Sequence, residues 1–193
     1  AAVSEISPMK IKLLGQAGVQ IDLKDGTRIL FDPYLTDTLH ETKGERFARL
    51  IPPPEDIAAL NPDILAITHD HGDHDHVHTH DHMHPHTHRN LYDIYTIIDR
   101  LQSVYKAITG RWPSKHNAMV MRPGVEVTLG EARFCAVPAF HETLEAVGYL
   151  LKAEGKTVYL SGDTLYHRAI PEFLREESID LALLCINGFG NNM

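Results

Sequence analysis

Residues 63–68, Asp-Ile-Leu-Ala-Ile-Thr, run without a spacer into His69-Asp70-His71-Gly72-Asp73-His74. An apolar run of strand length that does not alternate belongs to a strand covered on both faces. The chain must therefore bury a strand inside a layered domain and release imidazoles from the strand's end. Residues 180–186 form a second fully apolar run of the same kind. A chain of 193 residues suits one domain, and at this size about 70% of the unfolded surface is buried without disulfide staples.

Around these two runs the sequence reads as mostly β. Strands are expected at 10–14, 19–23 and 28–32, with Lys24-Asp25-Gly26-Thr27 as an Asp-Gly hairpin turn and Asp32-Pro33 as a breaker. Residues 36–54 look irregular and end in Pro52-Pro53-Pro54, which cannot be helix interior. A short helix is expected over 55–60. Leu91, Ile94, Tyr95, Ile98, Leu101, Tyr105 and Ile108 recur at helical spacing behind Asn90 as N-cap, so 91–108 is expected to be a helix with one buried face. Four more strands are expected at 126–129, 132–138, 146–152 and 157–161, and a short helix at 170–176. A β-rich block thus recurs in both halves.

Charge and cysteine usage narrow the function. Lys plus Arg is 18 and Asp plus Glu is 26, a formal charge of −8. That balance argues against a nucleic-acid groove driven by bulk charge. No apolar run approaches the ~18–20 residues a bilayer crossing needs. Cys135 and Cys185 lie in apolar strand-like runs and read as buried thiols of a reducing compartment, so a cytoplasmic location is expected. Ser161 stands in Ser-Gly-Asp, not in the elbow that exposes a nucleophilic serine.

The 69–74 segment supplies three imidazoles and the Asp73 carboxylate, suited to Zn²⁺ or another borderline divalent ion. His69 and His71, two apart, can reach one ion from a turning loop. Asp73 and His74 can serve a second. Two isolated signals follow downstream, Phe140-His141-Glu142 and Ser161-Gly162-Asp163-Thr164. A carboxylate after a glycine turn can bridge two ions.

His-x-His-x-Asp-His after a strand, a lone His and then Gly-Asp-Thr resemble the metallo-β-lactamase superfamily. Ile11-Lys12-Leu13-Leu14-Gly15-Gln16-Ala17-Gly18, Leu30-Phe31-Asp32-Pro33, and the 180–186 run with Asn187-Gly188 resemble its L-ascorbate-6-phosphate lactonase-like branch. The resemblance covers most of the chain outside 76–120. It implies an α/β fold, a four-layer αβ/βα sandwich with metals at one edge between two sheets. It implies that His69, His71 and His141 hold the first ion, that Asp73 and His74 hold the second, and that Asp163 bridges them. Asp32 would support the metal loop from behind. The family pattern also calls for a further His after another helix and strand. The chain stops at Met193 with only His167 beyond Asp163, so a domain spanning 1–193 and incomplete at its C-terminal side is expected.

Ten of the 14 histidines fall between His69 and His88, and every even-numbered residue from 74 to 88 is His. In an extended chain that period sets all eight rings on one side. Pro85 and the weak helix propensity of His oppose a helix. The stretch at about 76–88 reads as an insertion: a surface loop with incidental metal affinity, a metal-loading loop, or an engineered feature.

The function expected is a metal-dependent hydrolase with one or two Zn²⁺ ions, Mn²⁺ being the alternative. Such ions lower the pKa of bound water from about 15.7 toward about 7 and so supply a hydroxide nucleophile. Asp73 would orient that nucleophile and carry its proton to the leaving group. The branch resemblance points to a lactone or similar ester, with or without a phosphate. A phosphodiester is the rival substrate, and a non-enzymatic metal store built on the His-rich run is the rival function. Lys43, Arg46 and Arg49 are candidates for holding an anionic group, against the plainer reading of a solvated face. The expected partner is a small-molecule ester or lactone, with no nucleic acid or membrane; a homo-oligomer is compatible with the sequence.

Overall fold

A computed structural model of the chain describes residues 9–35, 40–41, 44–45, 48–52, 60–69, 119–141 and 145–186. The first sheet has the order β1 (Lys10–Gly15), β2 (Gly18–Asp22), β3 (Arg28–Phe31) and β4 (Ile64–Ala66). Its first two pairings are antiparallel, while β4 joins β3 in parallel with Phe31 opposite Ala66. The second sheet has the order β5 (Glu126–Leu129), β6 (Ala132–Pro138), β7 (Val147–Ala153), β8 (Lys156–Leu160) and β9 (Leu181–Leu183). It is antiparallel up to β8, and β9 joins β8 in parallel with Leu160 opposite Leu183. A helix, α1 (Ala169–Phe173), precedes β9.

The turn expected at 24–27 forms as its residues dictate. Gly26 takes φ 91°, Thr27 N–H donates to Asp25 Oδ1 at 2.8 Å, and Gly26 N–H donates to Leu23 O at 3.1 Å. Glycine relieves the left-handed position, and the aspartate carboxylate closes the turn.

Alternation then sorts each strand's side chains into layers. Val19, Ile21, Ile29 and Phe31 of the first sheet meet Phe134, Ala136, Val147, Tyr149, Leu151, Val158 and Leu160 of the second in one core. Phe31 sits at its centre, 6.1 Å from the Phe134 ring and 5.9 Å from the Tyr149 ring. The intervening residues point outward into two smaller clusters. Leu30 joins Leu14, Leu35, Leu60 and Leu65, while Val137, Leu150 and Tyr159 join Ile170 of α1. Each sheet is thus covered on both faces, which gives an α/β sandwich with two central sheets.

The recurrence of β-rich blocks has a structural counterpart. Immediately after β3, Asp32 N–H donates to Ala66 O, and its carboxylate accepts Thr68 N–H, two residues past the end of β4. Immediately after β8, Ser161 N–H donates to Leu183 O, and its hydroxyl accepts Cys185 N–H, two residues past the end of β9. In both halves a short polar side chain fastens the exit of the parallel strand.

Three expectations are corrected. The run at 180–186 forms only the three-residue strand β9, with Leu181, Leu184 and Ile186 being 40%, 57% and 85% exposed. Among the described residues β9 ends its sheet, as β4 ends the other, and of its residues only Leu183 packs on the main core. The helix expected at 170–176 is α1, starting one residue earlier and ending at Phe173, with Leu174 N–H donating to Ile170 O before the chain turns. Cys135 is buried but Cys185 is only half-buried. By contrast, β4 is confirmed as a two-faced strand, because Ile64 packs on the main core and Leu65 on the outer cluster. The helix expected at 91–108 and residues 53–59 lie outside the described residues.

Candidate metal centre

Three strand exits converge at one edge of the two sheets. His69 follows β4, His141 follows β6, and Asp163 follows β8. Their ligand atoms all lie within 4.8 Å of one another, with His69 and Asp163 buried and His141 half-buried. The two imidazoles meet edge to face with centroids 4.7 Å apart, and both Nε2 atoms are buried. Donors at about 2.0–2.2 Å from a tetrahedral ion stand about 3.3–3.6 Å from each other. Two imidazole nitrogens and a carboxylate oxygen, withdrawn from bulk water, are a donor set that fits Zn²⁺ or a similar borderline ion.

Each side chain is placed by identifiable contacts. Asp32 adopts φ 41° directly after β3, a left-handed conformation that aspartate tolerates better than most residues. This turns its carboxylate toward Thr68, whose backbone N–H donates to Oδ1 at 2.8 Å and whose hydroxyl lies 2.8 Å from Oδ2. The Thr68 hydroxyl also stands 2.9 Å from His69 Nδ1. The preceding carbonyl, Ile67 O, accepts the Tyr149 hydroxyl at 2.9 Å, and Thr68 O accepts Val147 N–H at 2.9 Å. The exit of β4 is thereby tied to β7 of the opposite sheet. Burial, with the Asp32 charge second, pushes the Tyr149 phenol above its ordinary value, so this anchor stays protonated through the neutral range.

The His141 and Asp163 segments are stitched together. Phe140 N–H donates to Thr164 Oγ1 at 2.9 Å, and Leu165 N–H donates to Phe140 O at 2.8 Å. The Phe140 ring stacks on His167 at 3.8 Å. His167 is thereby accounted for as an exposed stacking partner whose Nδ1 accepts Ala169 N–H at 3.2 Å. Gly162 leads into Asp163 with φ +56°, and a Cβ there would lie 2.7 Å from the Thr68 Cβ.

Of the residues singled out in the sequence, the structure brings together His69, His141 and Asp163, with Asp32 behind His69. His71, Asp73, His74, Lys43, Arg46 and the 76–88 run lie outside the described residues. Arg49 is half-buried rather than on a solvated face. Its guanidinium donates to the carbonyls of Leu14, Tyr34 and Ile51 and packs over the Tyr34 ring. Sequence reasoning passed over Thr68, Gly162 and Tyr149 as individuals. Thr68 and Gly162 did carry a signal, since each immediately precedes a predicted ligand.

Residues 27–192 match the family model of the β-lactamase superfamily domain. The chain belongs to this superfamily. Among its relatives is a UPF0173 metal-dependent hydrolase of Enterococcus faecalis, 30% identical over 183 residues, covering 89% of this chain and 71% of the relative. A second, from Pyrococcus abyssi, is 27% identical over 188 residues, covering 93% of this chain and 73% of the relative. Solved structures agree on the fold. The metallo-β-lactamase fold protein YhfI of Bacillus subtilis superposes with a TM-score of 0.52 at 16% identity, covering 90% of this chain and 69% of that one. CmlA of Streptomyces venezuelae, a diiron β-hydroxylase, gives a TM-score of 0.51 at 15% identity over 91% of this chain and 34% of its own. The superfamily fold therefore carries more than one metal chemistry, and the site must decide the function. Among the described residues, no helix is long and apolar enough to cross a membrane.

Proposed function

We propose that the chain is a metal-dependent hydrolase acting on a lactone or similar carboxylic ester. The observation that carries this reading is the convergence of His69, His141 and Asp163 within 4.8 Å at the edge between the sheets. In the proposal His69, His71 and His141 would hold one ion and Asp73 and His74 a second, with Asp163 available to both. Zn²⁺ is the ion proposed, because imidazole and carboxylate together suit it and the donors are buried. A bound divalent ion acidifies coordinated water and polarises the ester carbonyl.

The chain's own residues supply the rest. His69 and His141 would offer ring nitrogens to the ion, and the Asp163 carboxylate would offset part of its charge. Asp32 keeps the loop after β4 from drifting, through its two bonds to Thr68. Asp73 is proposed to hold the attacking water in line and to pass its proton to the departing alkoxide. The relatives named metal-dependent hydrolases support hydrolysis as the reaction class.

The test is a substrate panel run on Zn²⁺-loaded protein, with lactones, simple aryl esters and an aryl phosphodiester side by side. Lactone or ester turnover, lost in His141→Ala and in Asp163→Asn, is the expected result. Turnover of the phosphodiester alone would move the assignment to phosphodiester hydrolysis. Zn²⁺ binding without any turnover would favour the metal-storage reading.

A further inference from the structure

The Thr68 hydroxyl lies between two groups with opposite demands. Asp32 Oδ2 is 2.8 Å away on one side and His69 Nδ1 is 2.9 Å away on the other. A threonine hydroxyl has one proton to donate and lone pairs that accept. An ionised carboxylate only accepts, and Asp32 already accepts the Thr68 backbone N–H at Oδ1. The hydroxyl proton therefore belongs on the Asp32 side. The bond to His69 then runs the other way, with Nδ1–H donating to the Thr68 oxygen. A neutral imidazole protonated at Nδ1 bears its lone pair at Nε2; with Nδ1 of His69 engaged by Thr68, the buried Nε2 is the nitrogen left to serve the three-residue cluster.

We infer that Thr68 is a positioning residue that fixes the tautomer of His69, relaying the Asp32 carboxylate through its hydroxyl so that Nε2 is presented bare to the ion. This inference rests on the metal-centre reading above. Its geometry is specific. The Gly162 turn stands close to the Thr68 side chain, since a Cβ built on Gly162 would lie 2.7 Å from Thr68 Cβ and 2.8 Å from its Cγ2 and Oγ1. Its main chain is held by Asp32 Oδ1 and by Val147 N–H. A partner that holds the distal nitrogen of a ligating histidine changes metal affinity about 10–100-fold when removed.

The test uses two variants and two readouts on the full chain. Thr68→Val keeps the shape and β-branching but removes the hydroxyl, whereas Thr68→Ser keeps the hydroxyl. Side-chain nitrogen NMR of histidine-labelled, metal-free protein reads the tautomer directly, and competition with a chelating indicator reads Zn²⁺ affinity. We expect wild-type His69 to be protonated at Nδ1. Thr68→Val should lose that preference and bind Zn²⁺ about 10–100-fold more weakly, and Thr68→Ser should restore both. Wild-type His69 protonated at Nε2 would overturn the inference, as would equal weakening in the two variants or unchanged affinity in Thr68→Val. The tautomer is read without metal. Nδ1–H at His69 together with unchanged Zn²⁺ affinity in His141→Ala would leave the relay standing and remove the metal-centre reading.

Discussion

Gly162 and Thr68 touch so closely that a Cβ on Gly162 would sit 2.7 Å from the Thr68 Cβ and 2.8 Å from its hydroxyl oxygen. This contact joins the loop that ends in Asp163 to the loop that begins at His69, and hence the second sheet to the first. Gly162 also holds φ +56°, where an L side chain is strained. Gly162→Ala should therefore cost about 2–4 kcal/mol, from left-handed strain together with overpacking. It should also weaken Zn²⁺ binding by pushing the two loops apart. A denaturant midpoint measured beside a chelator competition checks both parts.

The ligands should separate from the fold. His141 is half-buried and lies beyond the end of β6, outside the core between the sheets. His141→Ala should abolish tight Zn²⁺ binding while leaving metal-free stability within about 1 kcal/mol of wild type. Phe134→Ala should do the reverse. Phe134 packs against Phe31 in that core, so its loss should cost about 3–5 kcal/mol with the site chemistry intact. Thermal denaturation of metal-free protein, read against metal titration, distinguishes the two cases.

The tight site should not need the histidine repeat. His69, His141 and Asp163 are brought together by three strand exits. Replacing the even-numbered histidines from 76 to 88 with serine should leave one high-affinity Zn²⁺ equivalent and remove only weaker ones. Calorimetric titration of both proteins would reveal this, and loss of the tight equivalent would make the repeat part of the primary centre.

The core and the strand exit that carries His69 were legible in the sequence for a common reason. Local pattern and tertiary role agreed at Val19, Ile21, Ile29 and Phe31, which alternate and face one core. They agreed again at residues 64–69, where the short strand β4 delivers His69 to the cluster with His141 and Asp163. They diverged where burial depends on neighbours. Leu181, Leu184 and Ile186 are as apolar as the residues of β4, which also ends its sheet, yet stand exposed, whereas Ile64 and Leu65 each find a cluster to pack on. Arg49 is charged yet folds onto three carbonyls. Thr68 could not be recognised as a link between Asp32 and His69 because the two flanking groups are 36 and one residues away along the chain. Only the pairing of β3 with β4 brings them together.

Acid should loosen the β8–β9 edge. Hydrogen bonding from Lys156 Nζ, then from Thr157 N–H, holds the Asp180 carboxyl below its ordinary value. A carboxyl whose pKa is lowered by folding takes up more protons unfolded, so stability rises with pH through its titration. Its contribution is complete above the unfolded value of about 4 and disappears as pH falls through the lower folded value. Asp180→Asn should flatten the acid limb of a stability–pH curve below about pH 4 and leave the neutral plateau's shape unchanged. An identical acid limb in both proteins would show that this carboxylate is not linked to folding.

The most direct test of the metal centre is anomalous scattering at the zinc edge from crystals of Zn²⁺-loaded protein. A peak is expected about 2.0–2.2 Å from Nε2 of His69, from a ring nitrogen of His141 and from a carboxylate oxygen of Asp163. Peaks confined to the 76–88 histidines, with His69, His141 and Asp163 bare of metal, would rule this centre out.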